Sequence, residues 1–304
     1  MASREQQKPP VADAVLANLH TMPVSLIRPE KWAVPFIFAS PHSGRLYPES
    51  FLAQSQLNAK GLRRSEDAFV DELFACAAGL GAPVVAARFP RAYLDVNRAP
   101  AELDPAMFEG ILPLKVDAAS PRVHAGLGVI PRIVRDGAEI YRRRLSPEEA
   151  RERLEHLHRP YHAALGDLVD EAHARFGFAV VVDCHSMPSA AATPDVVFGD
   201  RYGTSASPVL IRAAERIFER HGFSVARNLP YAGGYTTDLY GKPRSGTHAL
   251  QIEVNRGLYL DEEEVRPNGH FEALKGRLAA ALGELVSFET ASLRPQRPSS
   301  LAAE

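Results

Sequence analysis

An α/β fold on a largely parallel sheet is what this sequence predicts, on three observations. Short apolar runs recur at 34–39, 83–89, 179–182, 196–198 and 249–254, and they are continuous rather than alternating, as strands covered on both faces are. Helical patterns separate them, the arrangement that favours parallel pairing. Ligand-type residues stand at the ends of several runs, where α/β folds place their sites.

Taken in order, the run 34–39 reads as a buried strand that stops on Ser40, Pro41, His42, Ser43 and Gly44. That turn of small residues places a histidine at the strand's carboxyl edge with no apolar face to pack on. The first helix follows Ser65, with Phe69, Leu73, Phe74, Ala77 and Leu80 on one face and Gly81 as its stop. Glu66 and Asp67 then fall in its first turn, where the helix dipole favours carboxylates. The run 83–89 is the next strand. From 98 to 144 the chain carries Pro100, Pro105, Pro113, Pro121 and Pro131 and reads as a long irregular excursion of the functional kind. The second helix opens at Ser146, with Pro147 in the first helical position and Glu149 closing a capping box. Its apolar positions continue through Leu154, Leu157, Leu165 and Leu168, with Pro160 forcing a kink or a break. The strand 179–182 leads into Asp183 and His185, and the strand 196–198 precedes a third helix at 209–220 that stops at Gly222. A second irregular stretch, 228–248, precedes the strand 249–254. Residues 289–304, rich in Ser, Pro and Ala, read as a frayed tail to a single domain with its core at about 20–288.

Composition narrows the function classes. A chain of 304 residues, 45% hydrophobic, can bury a sizeable core. With 35 basic against 37 acidic residues the net charge is −2, and no Lys/Arg stripe is present to neutralise a phosphate backbone, so nucleic acid is not an expected partner. Two cysteines, Cys76 and Cys184, do not make a disulfide scaffold, so a cytoplasmic location is the expectation. Neither an apolar leader nor an apolar stretch long enough to span a bilayer occurs, so no membrane association is expected. Association into a homo-oligomer stays open.

His42 and His185 each follow an apolar strand. Two neutral imidazoles from separate strands, one carboxylate and an open position make the ligand set of a catalytic zinc site; the plain alternative is a histidine bonded within its turn. Glu66 and Asp67 are the candidate carboxylates, with Asp71 one turn on. Asn97 and Arg98, in the stretch DVNR, set an amide beside a planar guanidinium suited to a substrate carboxylate, or else Arg98 pairs with Asp95 or Glu102. Glu253 lies mid-strand, where a carboxylate is costly unless it has a purpose. With its pKa raised it suits a general base; an ion pair with Arg256 is the alternative. His156, His158 and His162 read as a polar helix face, and the sequence there, HRPYH, is not a zinc-protease motif. His248 is a weaker candidate. GLGVIP lacks the last glycine of a dinucleotide fingerprint, and no GxSxG elbow occurs, although Ser43 and Ser186 adjoin the histidines and leave a serine hydrolase open.

Taken together, SPHSG, EDAFVDELF, RAYLDVNRAP, GLGVIPR, RPYHAAL, VVVDCHSMP, NLPYAGGYTTDLYGKP and QIEVNRGLY resemble the N-formylglutamate amidohydrolase family, in order from about residue 35 to 260. That family is similar in fold to the zinc carboxypeptidases and aspartoacylase, so the resemblance implies a three-layer α/β/α sandwich on a mixed, largely parallel sheet. It implies one Zn2+ on His42 and His185, and Asn97 and Arg98 at a substrate carboxylate. Glu253 takes the place of the catalytic glutamate. Arg45 stands where the carboxypeptidases carry a ligand glutamate, so the carboxylate comes from elsewhere. Asp67 is preferred because the family shows an aspartate or histidine there, with Glu66 close behind. The implied reaction is zinc-assisted hydrolysis of an N-formyl or N-acyl acidic amino acid, most concretely N-formyl-L-glutamate to formate and L-glutamate, with Arg91 facing the developing oxyanion. The glycine loop 233–237 would close over the substrate and bring donors from Tyr235, Thr236 and Tyr240. Alternative readings are a hydrolase of another N-acyl amino acid or short peptide, and a non-catalytic binder of acidic metabolites.

Overall fold

The structure, a computed structural model, describes residues 13–134, 137–189 and 193–295. Its sheet strands are β1 (Val24–Ile27), β2 (Phe36–Ser40), β3 (Val84–Ala87), β4 (Ala179–Met187), β5 (Val196–Gly199), β6 (Val225–Arg227) and β7 (Thr247–Asn255). They lie in the order β1-β3-β2-β4-β7-β5-β6. The β3-β2-β4-β7 core is parallel and β5-β6 is parallel, whereas β1 runs antiparallel to β3 and β5 antiparallel to β7. The sheet is therefore mixed and largely parallel.

All five expected runs are strands. The edge strands β1 and β6 add to them: β1 is only four residues long, mostly exposed, and its apolar residues are interrupted by Ser25. The helices are α1 (Ala14–Thr21), α2 (Glu49–Gln54), α3 (Ala59–Arg63), α4 (Val70–Phe74), α5 (Pro121–His124), α6 (Pro147–Arg153), α7 (Arg159–Phe176), α8 (Pro208–Arg220), α9 (Tyr235–Tyr240) and α10 (Phe271–Val286). Two apolar layers cover the sheet. Phe36, Phe38, Val182 and Ile252 pack with Leu210, Leu278 and Leu282 of α8 and α10 on one face, while Ile37, Val85 and Val181 pack with Leu165 and Leu168 of α7 on the other. This is a three-layer α/β/α sandwich.

Side-chain alternation explains where the polar site arises. On β4 the even positions Val180, Val182 and Cys184 stay apolar against the α8/α10 layer. The odd positions begin as core, Ala179 and Val181, and then change to Asp183 and His185. β7 repeats this: Leu250, Ile252 and Val254 stay apolar, while Ala249 gives way to Gln251 and Glu253. One sheet face thus turns from core to site near the carboxyl ends of both strands.

Several local readings need correction. His185 lies inside β4, which continues to Met187, rather than after a shorter strand. The helix expected after Ser65 starts only at Val70, because Phe69 adopts φ 62 and turns the chain, and it loosens into a 3-10 turn at Ala75–Ala78. Glu66 and Asp67 consequently sit in the turn before the helix. The Ser146 capping box is present. Pro160 does not break the second helix: a π turn at Leu154–His158 widens the backbone just ahead of it, which accommodates the proline ring and its missing N–H. Helix α9 occupies the expected glycine loop. Of the tail, 296–304 lies outside the described residues, but Ala291–Leu293 forms a 3-10 turn, and the Leu293 carbonyl accepts from His248 Nε2 at 2.9 Å. Among the described residues no helix is long and apolar enough to cross a membrane.

Candidate metal centre and its cavity

The small-residue turn after β2 exists because it packs directly on backbone. A Cβ at Gly44 would lie 2.1 Å from the Phe89 carbonyl oxygen, so only glycine lets the His42 turn close against the segment after β3. The His42 carbonyl accepts the Asp67 N–H at 3.0 Å, which ties the turn before α4 to it.

His42, Asp67 and His185 converge. His42 Nδ1 lies 3.1 Å from His185 Nδ1, and Asp67 Oδ2 is 3.3 Å from the first and 2.9 Å from the second. Each imidazole is gripped from behind by a carboxylate: His42 Nε2 donates to Asp95 Oδ1 at 2.6 Å, and His185 Nε2 lies 2.9 Å from Asp183 Oδ2. With the protons on Nε2, two Nδ1 lone pairs and a carboxylate oxygen face one another within a few ångströms, all of them buried. Such a cluster is repulsive unless a positive charge sits in its midst, and carboxylate-backed histidines are how proteins orient metal ligands. A proton can supply that charge in place of a metal. Burial alone would lower the His185 imidazole, but Asp183 and Asp67 outweigh it and hold it well above the ordinary range. Burial would likewise raise Asp67 and Asp95, yet His185, His42 and Arg256 at Asp67, and His42, Arg91 and Arg98 at Asp95, hold both well below the ordinary carboxylate range. The donor set, two nitrogens and one oxygen, fits a zinc site with a position to spare.

The other predicted carboxylate is not part of this cluster. Glu66 accepts from Tyr47 Oη at 2.6 Å and from Arg63 Nε at 3.1 Å, which turns it away. Asp71 pairs with Arg45 at 2.9 Å rather than backing a ligand.

A cavity of about 270 Å3 opens beside the cluster, lined by Arg64, Arg91, Arg98, Arg256, Asp67, Asp95, Glu253 and an apolar side of Leu127, Pro131, Ile133, Pro188 and Tyr231. Glu253 does not pair with Arg256 by hydrogen bond. Arg256 instead clamps the far oxygen of Asp67 at 2.7 Å and bonds Ser186 Oγ at 3.0 Å. Gln251 Nε2 donates to Glu253 Oε1 at 2.9 Å. Burial raises Glu253 to about 7, with His185 opposing and Asp67 adding to the shift. Arg91 reaches Asp95 at 2.8 Å. Arg98 donates to the Leu127 and Asn97 carbonyls and comes no nearer than 4.0 Å to Asp95, so the expected alternative pair is at most a long contact. Burial, reinforced by Arg122 and Arg91, lowers it to about 10 despite Asp95 and Glu102.

Four predicted substrate contacts are placed differently. Asn97 is spent on the scaffold: Nδ2 donates to Asp183 Oδ2 at 3.2 Å, and Oδ1 accepts the Thr236 N–H at 2.8 Å. Gly234 allows this approach, since a Cβ there would lie 2.4 Å from the Asn97 side chain. Tyr235 packs its ring against His158 and His162, Thr236 is fully buried, and the Tyr240 hydroxyl bonds the His162 carbonyl at 3.0 Å. Tyr231, not singled out from the sequence, is the tyrosine that lines the cavity. Ser43 Oγ pairs with Ser40 Oγ at 2.8 Å, and the Ser186 hydroxyl accepts from Arg256. Neither has the histidine contact a serine nucleophile needs.

Residues 34–260 match the family model described as N-formylglutamate amidohydrolase. The chain is 29% identical over 240 residues to an N-formylglutamate deformylase of Pseudomonas putida, a match covering 76% of this chain and 84% of that protein. The crystal structure of an N-formylglutamate amidohydrolase from Ralstonia eutropha JMP134 superposes with a TM-score of 0.82 at 35% identity, covering 87% of this chain and 97% of the other. The gene product Atu2144 of Agrobacterium tumefaciens shares the fold, with a TM-score of 0.66 at 19% identity over 90% of this chain and 99% of the other.

Proposed function

This chain belongs to the N-formylglutamate amidohydrolase family, and from that premise we propose that it is a zinc-dependent hydrolase that converts N-formyl-L-glutamate and water to formate and L-glutamate. The observation that carries the reading is the convergence of His42, His185 and Asp67 beside a cavity that holds both Glu253 and Arg98. When bound by these three residues, zinc supplies Lewis acidity toward a water and the formyl oxygen.

The chain's own groups do the rest. Arg98, in the cavity lining and no nearer than 4.0 Å to Asp95, takes a substrate carboxylate through its planar fork. Glu253, raised to about 7 by burial, removes the proton from the attacking water. It then delivers that proton to the leaving nitrogen as the C–N bond breaks, so one group serves as base and then acid. Arg91, fixed by Asp95, faces the oxygen on which negative charge develops. Four arginines against three carboxylates in the cavity lining, with a divalent cation added, suit a doubly charged substrate.

The apolar side of the cavity supports a second reading, in which the acyl group is larger than formyl. Comparing kcat/KM for N-formyl-L-glutamate, N-acetyl-L-glutamate and N-formylglycine separates the two. The deformylase reading predicts a preference of at least tenfold for the first over each of the others. Preference for the acetyl compound would overturn formyl specificity, and equal rates on N-formylglycine would remove the role of the second carboxylate.

A further inference from the structure

The histidines of the HRPYH stretch are not a solvated face. His158 is buried and His162 half-buried, and both reach the segment that carries Asp95, Asn97 and Arg98. His162 Nε2 donates to the Val96 carbonyl at 2.8 Å and His158 Nε2 to the Arg98 carbonyl at 2.9 Å. The two bonds thus straddle Asn97. This segment belongs to no strand, so no ladder of backbone bonds holds it, and its carbonyls need donors from elsewhere.

We propose that His158 and His162 are positioning residues that fix the 95–98 segment against the rigid α7 helix. Through it they set the Asp95 contact to His42, the Asn97 contact to Asp183 and the aim of Arg98 into the cavity. The π turn at Leu154–His158 brings His158 onto the same side as His162, their ring centroids 4.6 Å apart. Leu165 and Leu168, further along α7, are buried in the sheet-facing core. Tyr235 packs on both rings, so the Gly233-Gly234 region and α9 complete a clamp around the segment. Burial lowers both imidazoles, His162 to about 3, which keeps them neutral donors at neutral pH.

The proposal rests on the deformylase reading only where it assigns Arg98 to the substrate, so its test pairs kinetics with a readout that needs no substrate. His158→Phe keeps a ring against Tyr235 and removes the donor, whereas His158→Gln keeps a donor. In the full-length zinc-loaded protein, His158→Phe is expected to raise KM roughly tenfold with kcat within about threefold, and His158→Gln to restore most of the loss. Amide hydrogen exchange is expected to quicken at 95–98 in His158→Phe and not across the sheet. A folded His158→Phe with wild-type KM and wild-type exchange at 95–98 would overturn the proposal, as would a KM rise that glutamine fails to reverse. Should His158→Phe not fold, His162→Phe makes the same test at the Val96 carbonyl. Wild-type protein that releases no formate would defeat the deformylase reading alone, leaving the exchange comparison to decide the positioning role.

Discussion

His185 and Glu253 are register partners on neighbouring parallel strands, β4 and β7, with their side chains on the same face of the sheet. One strand spacing, about 4.8 Å, therefore separates the backbone of a candidate metal ligand from that of the candidate base. Removing the charge of Glu253 while keeping its shape tests the division of labour. Glu253→Gln is expected to lower kcat by about 10²–10⁴-fold, with zinc content and melting temperature unchanged. Loss of zinc in this variant would make Glu253 a ligand rather than a base.

The same carboxylate sets a pH dependence. A base must be deprotonated, and burial has raised Glu253 to about 7, so turnover is lost as pH falls through that range. A bound divalent cation favours the charged form, which puts the acid limb of kcat/KM at or below about 7. A profile flat from pH 8 down to 5 would exclude Glu253 as the base.

Asp95 and Asp183 act through the histidines they hold. Asp95→Asn or Asp183→Asn leaves the ligand atoms in place but weakens their orientation, and zinc affinity is expected to fall about 10- to 100-fold. Competition with a chromogenic chelator measures this directly. Asp71→Asn, at a residue bonded to Arg45 on the surface, serves as the control and is expected to leave affinity unchanged.

Arg98→Ala is expected to raise KM for N-formyl-L-glutamate roughly 10- to 100-fold, since a charged hydrogen bond is worth about 1.5–3 kcal/mol. Arg98→Lys keeps the charge without the fork and is expected to recover only part of this. Steady-state kinetics on zinc-saturated protein reads both.

Stability should also depend on pH through His158 and His162. Their folded pKa values are depressed, His162 to about 3, while the unfolded chain titrates near 6.5. The unfolded state therefore binds more protons below about 6.5. Stability is complete above that pH and falls as pH drops toward about 3, by at most about 1.4 kcal/mol per unit for each histidine. Melting temperatures at pH 7.5 and 5.5 should show the fall, and His162→Phe should make it shallower.

Much of this was legible from residue order. Continuous apolar runs marked the buried strands, Ser146 with Glu149 marked a helix start, and the two histidines near strand ends marked two members of the buried His42, Asp67 and His185 cluster. Asp183 was within reach of the same reasoning: positions 183 and 185 lie two apart on one strand, hence on one face. Helix α10 carried its signal too, in Phe271, Leu274, Leu278, Ala281, Leu282 and Leu285 at helical spacing. Asp95 was not legible as the partner of His42, because 53 residues and an irregular path separate them. Neither was the fate of Asn97, Thr236 and Tyr240, whose packing depends on how two long loops fold together. The turn at Phe69 left no mark, since a left-handed phenylalanine is set by its surroundings and not by local preference.

The central claim is that His42, Asp67 and His185 hold a metal on which turnover depends. Zinc content of the purified chain, measured with formate release from N-formyl-L-glutamate before chelation, after chelation and after adding zinc back, tests it most directly. The expected result is about one zinc per chain, with release that disappears on chelation and returns with zinc. Release that persists in metal-free protein would contradict it.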